Sequence, residues 1–206
     1  MLTLAIDCTT EACSVALFGG DKCLAGELRL LGRGHAEQLI PMIADLPGRG
    51  HAQRIVVAMG PGSFTGLRVG LAAARALAFA WNAELLGYPT LSLIAAMARR
   101  ERGPGPLAVA MTGGHGEWFV QRFAEGGMAG EALAARQPAD AAAQISEERI
   151  AGSQARALVA LRGYGEALEL LPDARACNLL EAQVLTSDVR PIYGRAPDAR
   201  LPVSAS

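Results

Sequence analysis

Nine residues, Gly60-Pro-Gly-Ser-Phe-Thr-Gly-Leu-Arg68, constrain this chain more than any other stretch. They follow an apolar run at residues 55–59 that reads as a buried strand. They lead into a small-residue segment in which Leu67, Leu71, Ala74, Ala78 and Trp81 recur at helical spacing. A strand, a glycine turn and a helix in that order have two physical uses. The turn can aim free backbone N–H groups at an anion, or it can let a helix pack unusually close to its neighbour. A P-loop would need Gly-Lys-Ser/Thr where Gly66-Leu67-Arg68 stands, and a nucleophile elbow would need glycine where Pro61 precedes Ser63 by two. Both tests fail, which leaves a tight helix entry with Ser63 or Thr65 as the N-cap.

Composition narrows the classes. With 206 residues, 51% hydrophobic and 19% charged, the chain can bury a substantial core. A net charge of −1 argues against holding nucleic acid through the overall field. Cys8, Cys13, Cys23 and Cys177 form no CxxC pair, and Asp7 interrupts the N-terminus too soon for a signal peptide. Reduced thiols and a cytoplasmic location are the expectation. Residues 67–81 come closest to a membrane span but are short and carry Arg68 and Arg75.

Along the chain, residues 2–6, 12–18 and 23–30 read as three strands, the last two joined at Gly19-Gly20-Asp21. Leu39, Met42, Ile43 and Leu46 mark an amphipathic helix ending at Pro47-Gly48. The strand at 55–59, the glycine turn and the long helix come next. A short strand at 85–87 and a helix from about residue 90 to 100 complete the first half. Meander, helix, strand, helix, strand, helix is the ribonuclease-H-like order, an α/β mixed sheet with helices on its faces. The Gly103–Pro106 stretch then separates two lobes, residues 1–102 and 103–206. Beyond it, strands at 107–111 and 118–123 echo the opening hairpin, which suggests a second lobe that is duplicated but reduced. Residues 131–181 carry weak signals, a helix is expected at 176–185, and the last residues read as a loose tail.

Three groups of residues are candidates for function. Asp7, Thr9 and Thr10 form an acidic, hydroxyl-rich turn at a strand end, able to hold a metal–phosphate group or simply to bond its own backbone. The helix after the glycine turn is apolar nearly all round, so one side can pack on its own sheet while the other needs a cover, either the second lobe or another chain. His35, His51 and His115 show no metal-ligand spacing, so no metal site is expected. Tyr193 and Arg195 read either as an interaction patch or as part of a solvated tail.

Three stretches together resemble one family. They are residues 4–17 (Leu-Ala-Ile-Asp-Cys-Thr-Thr-Glu-Ala-Cys-Ser-Val-Ala-Leu), 35–42 (His-Ala-Glu-Gln-Leu-Ile-Pro-Met) and 60–70, with weaker echoes at 116–117 and 191–195. The family is TsaB (YeaZ), bacterial accessory proteins of tRNA threonylcarbamoyladenosine synthesis related to TsaD. The resemblance implies a two-lobed actin-like ATPase (ASKHA) fold without a catalytic site of its own. It also implies docking on a TsaD-like transferase beside a TsaE-like ATPase, with tRNA met through the complex. The partner-binding residues it implies are His35, Leu39, Met42, Ile43, Leu67, Gly70, Leu71, Ala74 and Leu77. Bulky replacement of Gly70 or Ala74 is then expected to spare the monomer and abolish the complex. No cofactor of its own is implied, and the joint with TsaD is the only place for ATP. A homodimer through the same helices is a further expectation for the free chain. One departure stands out: the family often has Asp-x-Arg where Thr112-Gly-Gly-His115 stands here, which removes a second acidic phosphate clamp. The rival is a nucleotide-binding ATPase acting through Asp7, Thr9 and Thr10. A metallopeptidase is the weakest reading.

Overall fold

The computed structural model describes residues 1–127 and 129–194. Strands β1 (Leu2–Asp7), β2 (Ala12–Gly19) and β3 (Lys22–Leu30) form an antiparallel meander. A two-residue turn, Gly20-Asp21, closes the second hairpin, and Gly20 takes the positive φ of 59° that such a turn favours. The chain crosses through α1 (His35–Ala44) to β4 (Arg54–Ala58), which pairs in parallel with β1. It crosses again through α2 (Phe64–Trp81) to β5 (Glu84–Tyr88), then enters α3 (Thr90–Arg102). The sheet order is β3-β2-β1-β4-β5.

The second half repeats this plan. Strands β6 (Leu107–Thr112), β7 (Trp118–Phe123) and β8 (Ala134–Arg136) form a meander. Helix α4 (Pro138–Gln144) leads to β9 (Arg149–Ala151), which pairs in parallel with β6, and α5 (Ala155–Arg162) leads to β10 (Glu166–Leu168). The order β8-β7-β6-β9-β10 matches the first sheet strand for strand. The α/β, ribonuclease-H-like expectation is met in both halves. The stretch at 131–181, weak in sequence, holds three strands of three residues and two short helices.

Each sheet is covered on both faces. Leu39, Met42 and Ile43 of α1 and Leu67, Leu71 and Ala74 of α2 bury against Leu4, Ile6, Val15, Ile55 and Val57. On the other face, α3 stands between the two sheets. Leu93 packs with Val56, Ala58 and Tyr88, while Leu91, Ile94 and Ala98 pack with Leu107, Val109 and Met111. That shared helix makes the halves one packed body.

The helix expected at 176–185 is not formed. Two 3-10 turns, Ala174–Leu179 and Ala182–Val184, are separated by extended backbone at Leu180 and Glu181. The Ser14 hydroxyl on β2 accepts the Ala174 N–H at 2.9 Å, pinning the segment to the sheet. Cys177, Leu180, Val184 and Leu185 then follow the sheet face instead of a helical stripe. Arg195 and the expected tail lie outside the described residues.

Candidate functional site

The glycine turn launches a closely packed helix. Ser63 is the N-cap of α2, its hydroxyl accepting the Gly66 N–H at 3.3 Å, and its own N–H goes to the Thr9 carbonyl at 2.6 Å. Side chains are excluded at the glycines by backbone. A Cβ on Gly62 would collide with the Thr9 carbonyl, and one on Gly66 with the Cys8 carbonyl. Gly60 has φ 97°, and a Cβ there would lie 2.7 Å from the Ile192 carbonyl. The start of α2 is thus seated on the first hairpin, and two of its early N–H groups are spent on the protein itself.

Asp7 is turned inward. It is 1% exposed, and one carboxylate oxygen accepts both the Thr9 N–H at 2.9 Å and the Thr9 hydroxyl at 2.7 Å. The other accepts the Tyr88 hydroxyl at 3.0 Å. Burial outweighs these bonds and pushes the carboxyl up to about 6. Thr10 is occupied too. Its hydroxyl accepts the Ala12 N–H at 3.1 Å, and its carbonyl lies 2.9 Å from His35 Nε2. Thr90 donates to the Thr9 hydroxyl at 3.2 Å. The structure therefore brings Asp7, Thr9 and Thr10 together, but as a self-satisfied turn.

Beside that turn lies a cleft of about 680 Å³ between the lobes. Thr9, Thr10, Ser63 and Arg68 line one side, and Thr112, His115, Phe119 and Ser153 the other. Asp7 does not line it. Opposite the hairpin, the Thr112 N–H donates to the Ser153 hydroxyl at 3.0 Å, and the Thr112 hydroxyl accepts from Gln154 at 2.8 Å. At the mouth, the Arg68 guanidinium sits 3.7 Å over the Phe64 ring, whose centroid is 5.9 Å from that of Tyr193. Among the described residues, His, Cys, Asp and Glu form no cluster of three or more able to hold a metal.

The residues expected to meet a partner need correction. His35, Leu39, Met42, Ile43, Leu67, Gly70, Leu71 and Ala74 are buried in the chain's own core, and Leu77 is half-buried. The reason is geometric: these positions share the face that packs on the sheet. Ala74 is 0% exposed, so a bulky residue there would overpack the monomer, contrary to the expectation that such a change spares it. The same helices nevertheless present a second apolar face. Ala36, Ile40 and Ala44 on α1, and Ala72, Ala76, Phe79 and Ala80 on α2, are exposed, with Val69, Ala73 and Leu77 half-buried on the flank. Phe79 is 92% exposed and Ile40 49%.

Sequence reasoning passed over Tyr88 and Phe64. Tyr88 lies 81 residues from Asp7, and only the sheet order makes them neighbours. Phe64 stands inside the glycine turn, where an exposed aromatic residue was itself a signal.

The family model for TsaD, tRNA N6-adenosine threonylcarbamoyltransferase, matches residues 29–178. The TsaB protein of Escherichia coli K12, named for tRNA threonylcarbamoyladenosine biosynthesis, is 36% identical over 128 residues, covering 60% of this chain and 55% of that protein. Its counterpart in Haemophilus influenzae is 38% identical over 101 residues, covering 46% and 42%. This chain thus spans about half the length of the curated relatives it matches. The structure of YeaZ from Pseudomonas aeruginosa superposes with a TM-score of 0.77 at 27% identity, over 93% of this chain and 99% of that one. The ethanolamine utilization protein EutJ from Carboxydothermus hydrogenoformans, at 10% identity and a TM-score of 0.50, shares the fold alone. The two-lobed topology, the glycine turn seated on the first hairpin and these matches together place the chain in the TsaD family, in its TsaB (YeaZ) branch.

Proposed function

We propose that this chain is a non-catalytic subunit in the threonylcarbamoylation of adenosine 37 of tRNA. It binds and activates a TsaD-like transferase together with a TsaE-like ATPase, and meets tRNA through that assembly. The observation that carries the reading is the exposed apolar face of α1 and α2. A face bearing Ile40, Phe79 and five exposed alanines has no cover within the described chain. Its small side chains suit the close approach of another helix pair. In this reading the partner touches Ile40, Ala72, Ala76 and Phe79, while His35, Leu39 and Leu67 hold the helices in place from beneath. A second copy of this chain is the expected substitute when the transferase is absent.

The absence of catalysis is part of the proposal. Asp7 is closed off by Thr9 and Tyr88, and the position ending β6 is Thr112, so among the described residues the cleft has no pair of carboxylates facing each other. Any ATP then belongs at the joint with TsaD. The nucleotide-enzyme reading retains one favourable observation, the interlobe cleft of about 680 Å³ flanked by Thr9, Thr10 and Ser63.

Two titrations separate the readings. Ala76→Glu, an exposed change, should leave the unfolding midpoint unaltered and weaken binding to a TsaD-like partner by about 2 kcal/mol or more, roughly thirtyfold. Unchanged affinity in that variant would sink the interface. Calorimetry of Mg-ATP with the isolated chain should give a flat trace. Saturable heat that disappears in Asp7→Ala would instead establish the nucleotide enzyme.

A further inference from the structure

We propose that Cys8 and Cys13 are a reversible dithiol–disulfide couple built into the base of the first hairpin. The two sulfurs lie 3.3 Å apart, and both residues are buried, at 2% and 0% exposure. The register explains why they meet. Strands β1 and β2 pair Ile6 with Val15 and Asp7 with Ser14, so Cys8 and Cys13 are the next cross-strand pair. The Gly20 N–H bonds the Met1 carbonyl at 3.3 Å, which makes Met1 and Gly20 a hydrogen-bonded pair. Alternation along the ladder then puts Cys8 and Cys13 in the non-hydrogen-bonded class, where opposed Cα atoms approach to about 4.5 Å. That separation is within the roughly 4.4–6.8 Å a disulfide requires, and a bond of about 2.05 Å needs the sulfurs to close by little more than about 1 Å.

The chemistry needs an oxidant, and hydrogen peroxide is the class that fits a buried pair reached through brief openings. Thr9, Thr10 and Glu11 of the turn joining the two cysteines line the interlobe cleft, and Glu11, two residues before Cys13, is exposed. Cys13 is the attacking member. The two sulfurs share a hydrogen bond that either thiol can donate, and Arg29, paired with Cys13 across β2 and β3, favours the thiolate at Cys13. The Cys13 thiolate attacks one peroxide oxygen, the O–O bond breaks, and hydroxide leaves to give a sulfenic acid. The Cys8 sulfur then attacks the Cys13 sulfur and displaces a second hydroxide. The two thiol protons end in two waters, both sulfurs are oxidised and the peroxide is reduced. A dithiol reductant reverses the reaction by exchange.

Closure also acts on the seat of α2. The Cys8 carbonyl abuts Gly66, and a Cβ at Gly70 would lie 3.5 Å from Cys8 Cβ and 3.8 Å from its sulfur. Bond formation draws that sulfur toward β2 and away from Gly70. The couple is independent of the partner-docking reading, because it concerns the isolated chain.

Trypsin supplies a direct test. The peptide of residues 1–22 contains Cys8 and Cys13 but neither Cys23 nor Cys177, and Lys22 is its first basic residue. After native treatment with hydrogen peroxide and alkylation under denaturing conditions, this peptide should lose two hydrogens and take up no alkylating agent. Dithiothreitol should restore both thiols. A peptide that keeps two alkylatable thiols, or that gains only oxygen, overturns the proposal. In Cys13→Ala the loss should vanish; if that variant fails to fold, the wild-type peptide decides alone. Hydrogen exchange of the oxidised chain should change over residues 64–71 and not over α5. An unchanged α2 overturns the link to the helix seat.

Discussion

The two lobes share one strand order and differ in what they do with it. In the first, α2 runs for 18 residues, about 27 Å at 1.5 Å per residue, against a five-residue β4 of about 17 Å. In the second, α5 has 8 residues against a three-residue β9. The longer helix carries Phe79 out to 92% exposure, and the shorter α5 leaves Leu161 57% exposed. Both lobes keep a glycine where the crossover leaves the central parallel strand. A Cβ on Gly152, at φ 110°, would collide with the Ala110 carbonyl, as one on Gly66 would with Cys8. What the second lobe lacks is the acidic residue, since β1 ends in Asp7 and β6 in Thr112. Close packing was kept in both copies, while the charge was kept in one and buried there. The comparison separates the glycines' structural use from any chemical one.

The largest break in that comparison should come from Gly66→Val. Its side chain meets fixed backbone, so a loss of about 4 kcal/mol or outright failure to fold is expected in urea denaturation. In the second lobe, Gly114→Ala enters open space and should shift stability by less than about 0.5 kcal/mol. A comparable loss at both sites would show that the glycine turn is not special.

Asp7 provides the next test. Its carboxyl rises from 3.8 to about 6 because burial disfavours the charge. The folded state therefore binds the proton more tightly than the unfolded chain between those two values. This group's contribution is most favourable below pH 3.8 and declines as pH rises to about 6, by roughly 3 kcal/mol in all. Asp7→Asn should remove that slope from stability measured between pH 4 and 7. The difference between wild type and variant is the readout, because other carboxylates titrate in the same range. A parallel pair of curves would mean that Asp7 is not desolvated.

The smallest effects are at the caps. Ser63→Ala deletes the α2 N-cap bond and should cost about 1 kcal/mol. Helix α5 begins at Gln154 with no side-chain cap bond, so Gln154→Asp should be the mirror case and gain a few tenths of a kcal/mol, less the bond to Thr112. Equal responses at the two caps would erase the distinction between the helices.

Much of the first lobe was legible because its elements announce themselves locally. The Gly19-Gly20-Asp21 turn, the alternation in residues 12–18 and the spacing of Leu39, Met42 and Ile43 are all short-range signals. The second lobe was legible only as far as β7, because three-residue strands and a seven-residue α4 are too short to show a period. The segment at 174–184 failed for a different reason. Its apolar spacing suits a helix, but a bond from Ser14, 160 residues away, ties it to the sheet. Helices α1 and α2 were legible, yet the residues singled out on them, half-buried Leu77 apart, are buried in the chain's own core. Periodicity shows that α2 is apolar all round without saying which side meets the sheet.

The amino-acid order alone determined the α/β plan and a tight helix entry capped by Ser63 or Thr65. These depend on local dihedral and steric rules that operate within a few residues. Tertiary structure alone decided that Asp7 points inward to Tyr88, that Leu67 and Ala74 are core, and that Ile40, Ala76 and Phe79 are exposed. Those outcomes depend on which strands become neighbours and which side of a helix meets the sheet, and both are set by contacts between residues remote in the chain.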